Sequence, residues 1–213
     1  MARTNRQQAP KRDSRVQTRT RKAIVVHDGS AFELATDLRQ YGFEVAEGPL
    51  LAPSAIHQEP GALAVIATRP GAAQSRRLRE WARQLCWKGA PVLAVGASVR
   101  PVAELFGSRR TASADNGTSG RLADIHSLSQ GLFNGLPSEF RLALPAGDRF
   151  EHTDLSAEFS ATAWSRDGEL IGASHVFRPV HLLHPAVLES ADTRPVILQN
   201  LMALLRDKGG RAF

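Results

Sequence analysis

The stretch Pro91-Val92-Leu93-Ala94-Val95-Gly96-Ala97-Ser98-Val99-Arg100 decides the fold of this chain, together with its continuation to Gly107. It predicts a buried strand, a tight turn of small residues, and a helix that begins directly after the turn. Enzymes use this layout, a nucleophile elbow, to present a reactive side chain at the mouth of a parallel sheet. The apex here is Gly96, which has no side chain to react. The stretch indicates an enzyme scaffold without its nucleophile.

Strand and helix patterns alternate on the N-terminal side of the elbow. Apolar runs predict strands at 23–27, 43–45 and 63–67. Helical spacing predicts a helix at about 32–41 and a second one that follows the Arg69-Pro70-Gly71 turn and reaches about Trp87. Alternation of this kind is typical of a doubly wound parallel sheet.

After Gly107 the pattern changes to short alternating segments. They predict strands at 121–125, 140–144, 159–164, 169–173 and 180–184, followed by an amphipathic helix from about Pro195. The turn Arg166-Asp167-Gly168 predicts that the third and fourth of these strands form a hairpin. We therefore expect an antiparallel part in the second half of the chain.

Composition places the chain among soluble, single-domain proteins of a reducing compartment. Its 213 residues suffice for one full domain, and no apolar run approaches the roughly 18 residues that a membrane span needs. The single cysteine, Cys86, cannot form an internal disulfide and is expected to be a packed core thiol. We expect a cytoplasmic protein with no membrane partner.

The N-terminal segment carries the basic charge of the protein. Residues 1–22 hold eight Lys and Arg side chains and one acid, Asp13; since the whole chain carries +6, the remainder is nearly neutral. The segment lacks hydrophobic periodicity, so we expect a disordered tail at 1–22, a domain at 23–208 and a short tail at 209–213. Three roles stay open for the basic tail: a solubilising extension, an arm that binds nucleic acid, or an organellar targeting segment.

Several short segments match one family in their order and spacing. They are His27-Asp28-Gly29-Ser30-Ala31-Phe32, Leu38-Arg39-Gln40-Tyr41, Leu132-Phe133-Asn134-Gly135-Leu136-Pro137, Thr162-Ala163-Trp164-Ser165 and His184-Pro185. Over about residues 23–206 the chain resembles the class I glutamine amidotransferases, most closely the small subunits of anthranilate synthase and aminodeoxychorismate synthase. The resemblance implies an α/β, flavodoxin-like fold with a mixed, mostly parallel central sheet, flanking helices and a smaller antiparallel part.

The resemblance also implies a Cys-His-Glu triad, which hydrolyses glutamine and passes ammonia to a synthase. Pro91-Val92-Leu93 before the turn and Ala103-Glu104-Leu105-Phe106-Gly107 after it place the nucleophile position on Gly96. The family's histidine corresponds to His184, whereas the carboxylate two residues later is replaced by Ala186. Glu189 is near in sequence but about one helical turn away. No triad is intact in this interpretation.

Two further segments that hold glutamine in the family also differ. The family's Ser-Pro-Gly-Pro-Gly loop is Ala67-Thr68-Arg69-Pro70-Gly71 here, and its His-Ser-Leu segment corresponds to about Ala146-Gly147-Asp148. The family's Gly-His-Gln after the nucleophile becomes Ser98-Val99-Arg100. Arg69 and Arg100 would approach the former glutamine pocket, where two guanidinium groups could hold a carboxylate or a phosphate.

Other candidate chemistry is weaker. The segment Gly96-Ala97-Ser98-Val99-Arg100 lacks the second glycine of a serine-hydrolase elbow and places Ser98 inside the helix. The spacing of four further histidines fits no metal site, and no cofactor is expected; they are His126, His152, His175 and His181.

We therefore expect a catalytically inactive, amidotransferase-like subunit that binds the large subunit of a chorismate-using synthase. Two alternatives stay open. One is an active amidotransferase or serine hydrolase with unusual residues, and the other is a nucleic-acid or ribonucleoprotein binding module that acts through the basic tail.

Overall fold

The computed structural model describes residues 21–27, 32–48, 62–67, 72–109, 120–146 and 149–208. In this part of the chain one sheet has the strand order β2-β1-β3-β4-β9-β8-β7-β5-β6. Its strands are β1 (Arg21–His27), β2 (Phe43–Gly48), β3 (Leu63–Ala67), β4 (Val92–Val95), β5 (Arg121–Ser127), β6 (Glu139–Leu144), β7 (Phe159–Ser165), β8 (Leu170–His175) and β9 (Val180–Leu183). The α-helices are α1 (Phe32–Gln40), α2 (Ala72–Trp87), α3 (Val99–Glu104), α4 (Ala186–Glu189) and α5 (Arg194–Lys208).

The sheet has a parallel half and an antiparallel half. Strands β2, β1, β3, β4 and β9 pair in parallel, and β9, β8, β7, β5 and β6 pair antiparallel. The expectation of a mostly parallel sheet with a smaller antiparallel part is therefore not confirmed. The reason is that short connections such as the Asp167-Gly168 turn return the chain beside the strand it has just left, whereas parallel pairing needs a crossover. Strand β9 belongs to both halves.

Alternate residues along the buried strands point to opposite faces of the sheet and build two cores. Helices α1, α4 and α5 cover one face, and α2 and α3 cover the other. Strands β3 and β4 are buried along their whole length, as continuous apolar runs predict for strands covered on both faces. The sequence prediction of an α/β fold with helices on both faces is confirmed.

A short turn at Gly131–Phe133 packs against the antiparallel half of the sheet. Phe133 is fully buried, and its ring lies so close to Gly172 of β8 that a Cβ there would be 2.1 Å from the Phe133 Cε2 atom. Only glycine leaves room for this ring. The segment Leu132–Pro137 thus acts as a packing element against β8.

The termini of the chain lie mostly outside the described residues. Strand β1 begins at Arg21 and pairs Arg21 with Phe43 and Lys22 with Glu44, so the last two residues of the expected tail belong to the sheet. Residues 1–20 and 209–213 are outside the described part. Among the described helices, none is both long and apolar enough to cross a membrane.

Candidate functional site

The turn after β4 has the backbone of a nucleophile elbow. Gly96 follows the buried strand with a φ of +62°, a left-handed conformation that side chains rarely adopt. A tight turn at Gly96–Ser98 then leads directly into α3. Among the described residues, a Cβ built on Gly96 would meet only the Pro185 ring, at 3.7 and 3.8 Å. The elbow therefore has room for a side chain and carries none.

His184 lies beside this elbow because β4 and β9 are neighbouring parallel strands. Its Nδ1 atom accepts a hydrogen bond of 3.2 Å from the backbone N–H of Ala186. Its Nε2 atom lies 3.5 Å from the Oε1 atom of Glu169. The structure thus brings Gly96 and His184, which sequence reasoning paired, to the same edge of the sheet.

These residues line a cleft of about 100 Å³. Its walls are mostly apolar, and among the described lining residues Glu169 and His184 are the titratable ones. The lining residues are Gly96, Ala97, Val99, Pro145, Ala146, Phe150, Glu169, Leu170, Leu183, His184 and Pro185. The volume suits a small group rather than a bulky ligand.

Glu169 is a site residue that sequence reasoning missed. Its side chain is only 5% exposed, and its Oε2 atom lies 2.7 Å from Arg121 and 3.6 Å from Arg149. Burial opposes ionisation of Glu169, but hydrogen bonding from the His184 ring and from the Arg121 guanidinium outweighs it and holds the pKa of Glu169 below its ordinary value. The cleft therefore contains an ionised, buried carboxylate.

The position where the resemblance expects a carboxylate has a different role. Ala186 is the first residue of α4 and is buried, so its side chain packs in the core while its backbone N–H contacts His184. Glu189 ends the same short helix. It is Glu169, fifteen residues before His184 in the sequence, that lies beside the imidazole.

Ser98 and Cys86 are both held away from the cleft. Ser98 is fully buried, and its hydroxyl donates to the carbonyl of Ile66 and accepts a 2.9 Å hydrogen bond from the Val95 N–H. Cys86 is buried at the end of α2, where desolvation raises the pKa of its thiol to about 12. The expected core thiol is confirmed, and both groups serve packing and backbone bonding.

Arg100, which sequence reasoning suggests as an anion ligand, lies on α3 next to the cleft. Its guanidinium donates a 2.8 Å hydrogen bond to the Arg149 carbonyl and lies 5.5 Å from the centre of the Phe150 ring. Arg69 and its loop at 68–71, and residues 147–148, lie outside the described residues. Ala146, the described part of that last segment, lines the cleft.

The four histidines considered for a metal site each have a different partner in the described structure. Within the described ranges, no group of three His, Cys, Asp or Glu side chains is placed to hold a metal ion. His126 lies near Glu139, His152 stacks on Trp164, His175 bonds to Glu158, and His181 bonds to Ser174.

No protein-family model matches this sequence. Solved structures do match its fold. A protein described as one subunit of GMP synthase, from Thermoplasma acidophilum, superposes with a TM-score of 0.72 at 18% identity, covering 89% of this chain and 96% of that chain. A glutamine amidotransferase from Thermotoga maritima gives a TM-score of 0.63 at 15% identity, covering 90% of this chain and 86% of that one.

A third match is a chain of PurLQS from Thermotoga maritima, with a TM-score of 0.62, 15% identity, and coverage of 87% of this chain and 98% of that chain. At these identities the likeness shows the fold alone. That fold is of the class I glutamine amidotransferase type, as the resemblance of the sequence segments implies.

Proposed function

We propose that this protein is a subunit with a glutamine amidotransferase fold that releases no ammonia itself and acts by binding a synthase. The observation that carries the proposal is Gly96. It occupies the elbow in the left-handed conformation of a nucleophile, with a φ of +62°, and supplies only a hydrogen atom. Hydrolysis of glutamine through a covalent intermediate needs a thiolate or an alkoxide at this point.

The sequence suggests two other groups that could act as a nucleophile, the Cys86 thiol and the Ser98 hydroxyl. Both lie in the described part of the chain, and neither can serve the cleft in that role. The sequence holds one cysteine, and the Cys86 thiol is buried with its pKa raised to about 12. The Ser98 hydroxyl is fully buried and bonded to backbone groups on two strands. Both observations favour a binding role over the alternatives of an active amidotransferase or a serine hydrolase.

The partner we propose is the large subunit of a chorismate-using synthase of the anthranilate or aminodeoxychorismate type. The motifs shared with the small subunits of those enzymes support this choice, and so does the match to a chain of PurLQS, whose composite name is that of a multi-part assembly. The former active-site edge is largely apolar, which suits a surface that is covered in a complex.

The experiment combines the purified chain with the chorismate-using synthase subunit of the same organism. We expect a complex in size-exclusion chromatography with light scattering. Within it, synthase activity should depend on added ammonium salts, and glutamine should not replace them. A glutamine-hydrolysing amidotransferase of the same fold is the positive control.

Three results would overturn the proposal. They are release of glutamate from glutamine by the wild-type chain, glutamine-dependent activity of the complex, and failure of the two chains to associate. A fluorophosphonate probe adds a separate arm, because labelling of the wild type that disappears in Ser98→Ala would establish the serine-hydrolase alternative.

A further inference from the structure

Both ring nitrogens of His184 face groups that are fixed by the fold. The Nδ1 atom accepts a 3.2 Å hydrogen bond from the Ala186 N–H. A ring nitrogen that accepts a hydrogen bond carries no proton, so the proton of the neutral imidazole lies on Nε2. That Nε2 atom faces the Oε1 atom of Glu169 at 3.5 Å.

Glu169 is itself fixed from behind by two arginines. Its Oε2 atom contacts Arg121 at 2.7 Å and Arg149 at 3.6 Å, which leaves Oε1 directed at His184. The same two arginines also hold Asp167, at 2.9 and 3.0 Å. The carboxylate therefore cannot turn away from the imidazole without breaking a network of ion pairs.

We propose that Glu169 and the backbone N–H of Ala186 together hold His184 with its proton on Nε2, so that the imidazole presents no lone pair to the elbow. A general base needs such a lone pair within reach of the proton that it removes. In this arrangement Glu169 is a positioning residue, and His184 serves as a partly buried link between β9, β8 and α4. The site has thus lost its base as well as its nucleophile.

This inference rests on the proposed function, because an imidazole that cannot act as a general base is expected only in a cleft that does not hydrolyse glutamine. The two can fail separately. Glutamine hydrolysis by the wild type would end the proposed function whatever the position of the proton. If the wild type is inactive but the His184 proton lies on Nδ1, only the inference about His184 is overturned.

The first test is two-bond ¹H–¹⁵N correlation NMR of the histidine rings in the wild type. His184→Gln identifies the signals by their loss. We expect His184 in the Nε2–H form, and Glu169→Gln should shift its ring nitrogen signals. Asp167→Asn is the matched control, because Asp167 shares both arginines with Glu169, whereas the carboxylate beside His184 is that of Glu169.

A merely structural effect of the charge network would move the His184 signals equally in both variants. Equal shifts, or a proton on Nδ1 in the wild type, would overturn the inference. Because these measurements need only the wild type and conservative variants, they remain decisive if more drastic variants fold poorly.

The second test introduces a thiol with Gly96→Cys and follows its alkylation by iodoacetamide as a function of pH. A thiol without a base alkylates with a midpoint near its ordinary pKa of about 8.5, whereas a neighbouring histidine that takes the proton moves the midpoint to about 7 or below. We expect the ordinary midpoint. A midpoint at or below about 7 would overturn the inference.

The wild type is the blank for this experiment, since Cys86 is buried and its thiol pKa is raised to about 12. Within the part of the chain that the structure describes, the nearest neighbour of the introduced side chain is the Pro185 ring at 3.7 Å, an ordinary contact distance.

Discussion

The parallel and antiparallel halves of the sheet contribute to the cleft in different ways. The parallel half supplies a backbone shape, the left-handed turn at Gly96, and no reactive side chain there. The antiparallel half supplies the charge, because Glu169, directly before β8, reaches His184 while Arg121 of β5 pairs with its other carboxylate oxygen. The two halves of the sheet thus meet at one cleft, where a glycine turn from one half faces a buried ion pair from the other.

The largest expected effect tests the packing of the antiparallel half. Gly172→Ala places a Cβ 2.1 Å from the buried Phe133 ring, so the ring must move and the chain should lose about 3 kcal/mol of unfolding free energy. Urea denaturation measures the loss. Gly120→Ala is the milder control, since its nearest contact is a carbonyl oxygen at 3.3 Å. A loss of under about 1 kcal/mol at Gly172 would show that this half packs loosely.

The second effect tests the ion pairs of Glu169 in the antiparallel half of the sheet. Glu169→Gln removes the carboxylate that Arg121 and Arg149 share, and a buried partner lost in this way costs several kcal/mol. Because the two arginine side chains are 35% and 25% exposed, water screens part of the loss, and we expect about 2 kcal/mol. Glu151→Gln is the control, because Glu151 is 39% exposed and pairs only at 3.5 Å with Arg149; it should cost under about 0.5 kcal/mol.

The pH dependence of this loss follows from the lowered pKa of Glu169. A carboxyl whose folded pKa lies below its unfolded value stabilises the protein at pH above that unfolded value, about 4.3, and the stabilisation disappears as the pH falls through the folded pKa. The advantage of the wild type over Glu169→Gln should therefore shrink as the pH is lowered from about 5 to about 3. A constant difference over this range would contradict the ion-pair role.

A third effect tests how the parallel half supports the elbow. Ser98→Ala removes the hydroxyl that bonds the Ile66 carbonyl and the Val95 N–H in the core. Buried groups left without a partner cost about 1–2 kcal/mol, and we expect a loss near about 1.5 kcal/mol in thermal or urea unfolding. Ser160→Ala, at an exposed position on β7, is the control and should be nearly neutral.

The smallest effect concerns the apex of the elbow. Gly96→Ala forces a side chain into a backbone with a φ of +62°, at a cost of about 1 kcal/mol. Gly96→Asn should cost less, because asparagine adopts the left-handed region more readily. If both variants are as stable as the wild type, the backbone at position 96 adjusts without cost. The Gly96 turn is then less rigid than the ion-pair network around Glu169.

The elbow could be predicted well from the sequence because its signals are local. The apolar run at 92–95, the small residues after it and the helix up to Glu104 are contiguous in the chain, and the structure has them as expected. The placement of His184 beside Gly96 follows from two neighbouring parallel strands. The resemblance to a known family located both residues.

The role of Glu169 could not be predicted in the same way. Its partners Arg121 and Arg149 are 48 and 20 positions away in the chain, and their convergence depends on the order β8-β7-β5 and on side-chain direction. A glutamate after an Asp-Gly turn has the sequence signature of an exposed strand end. The equal number of parallel and antiparallel strand pairs could not be predicted for a related reason. The sequence shows short alternating strands, but it does not show that they extend the central sheet instead of forming a small separate part.

The position of β9 in the sheet also sets an order for synthesis of the chain. Strand β4 is apolar and complete at Val95, yet its second neighbour, β9, begins only at Val180. During translation one edge of β4 stays unpaired while about two fifths of the protein is still to be made, and unpaired apolar edges are sites of aggregation. A nascent chain stalled before Val180 is therefore expected to require chaperones, whereas one that has released Leu183 can close its sheet.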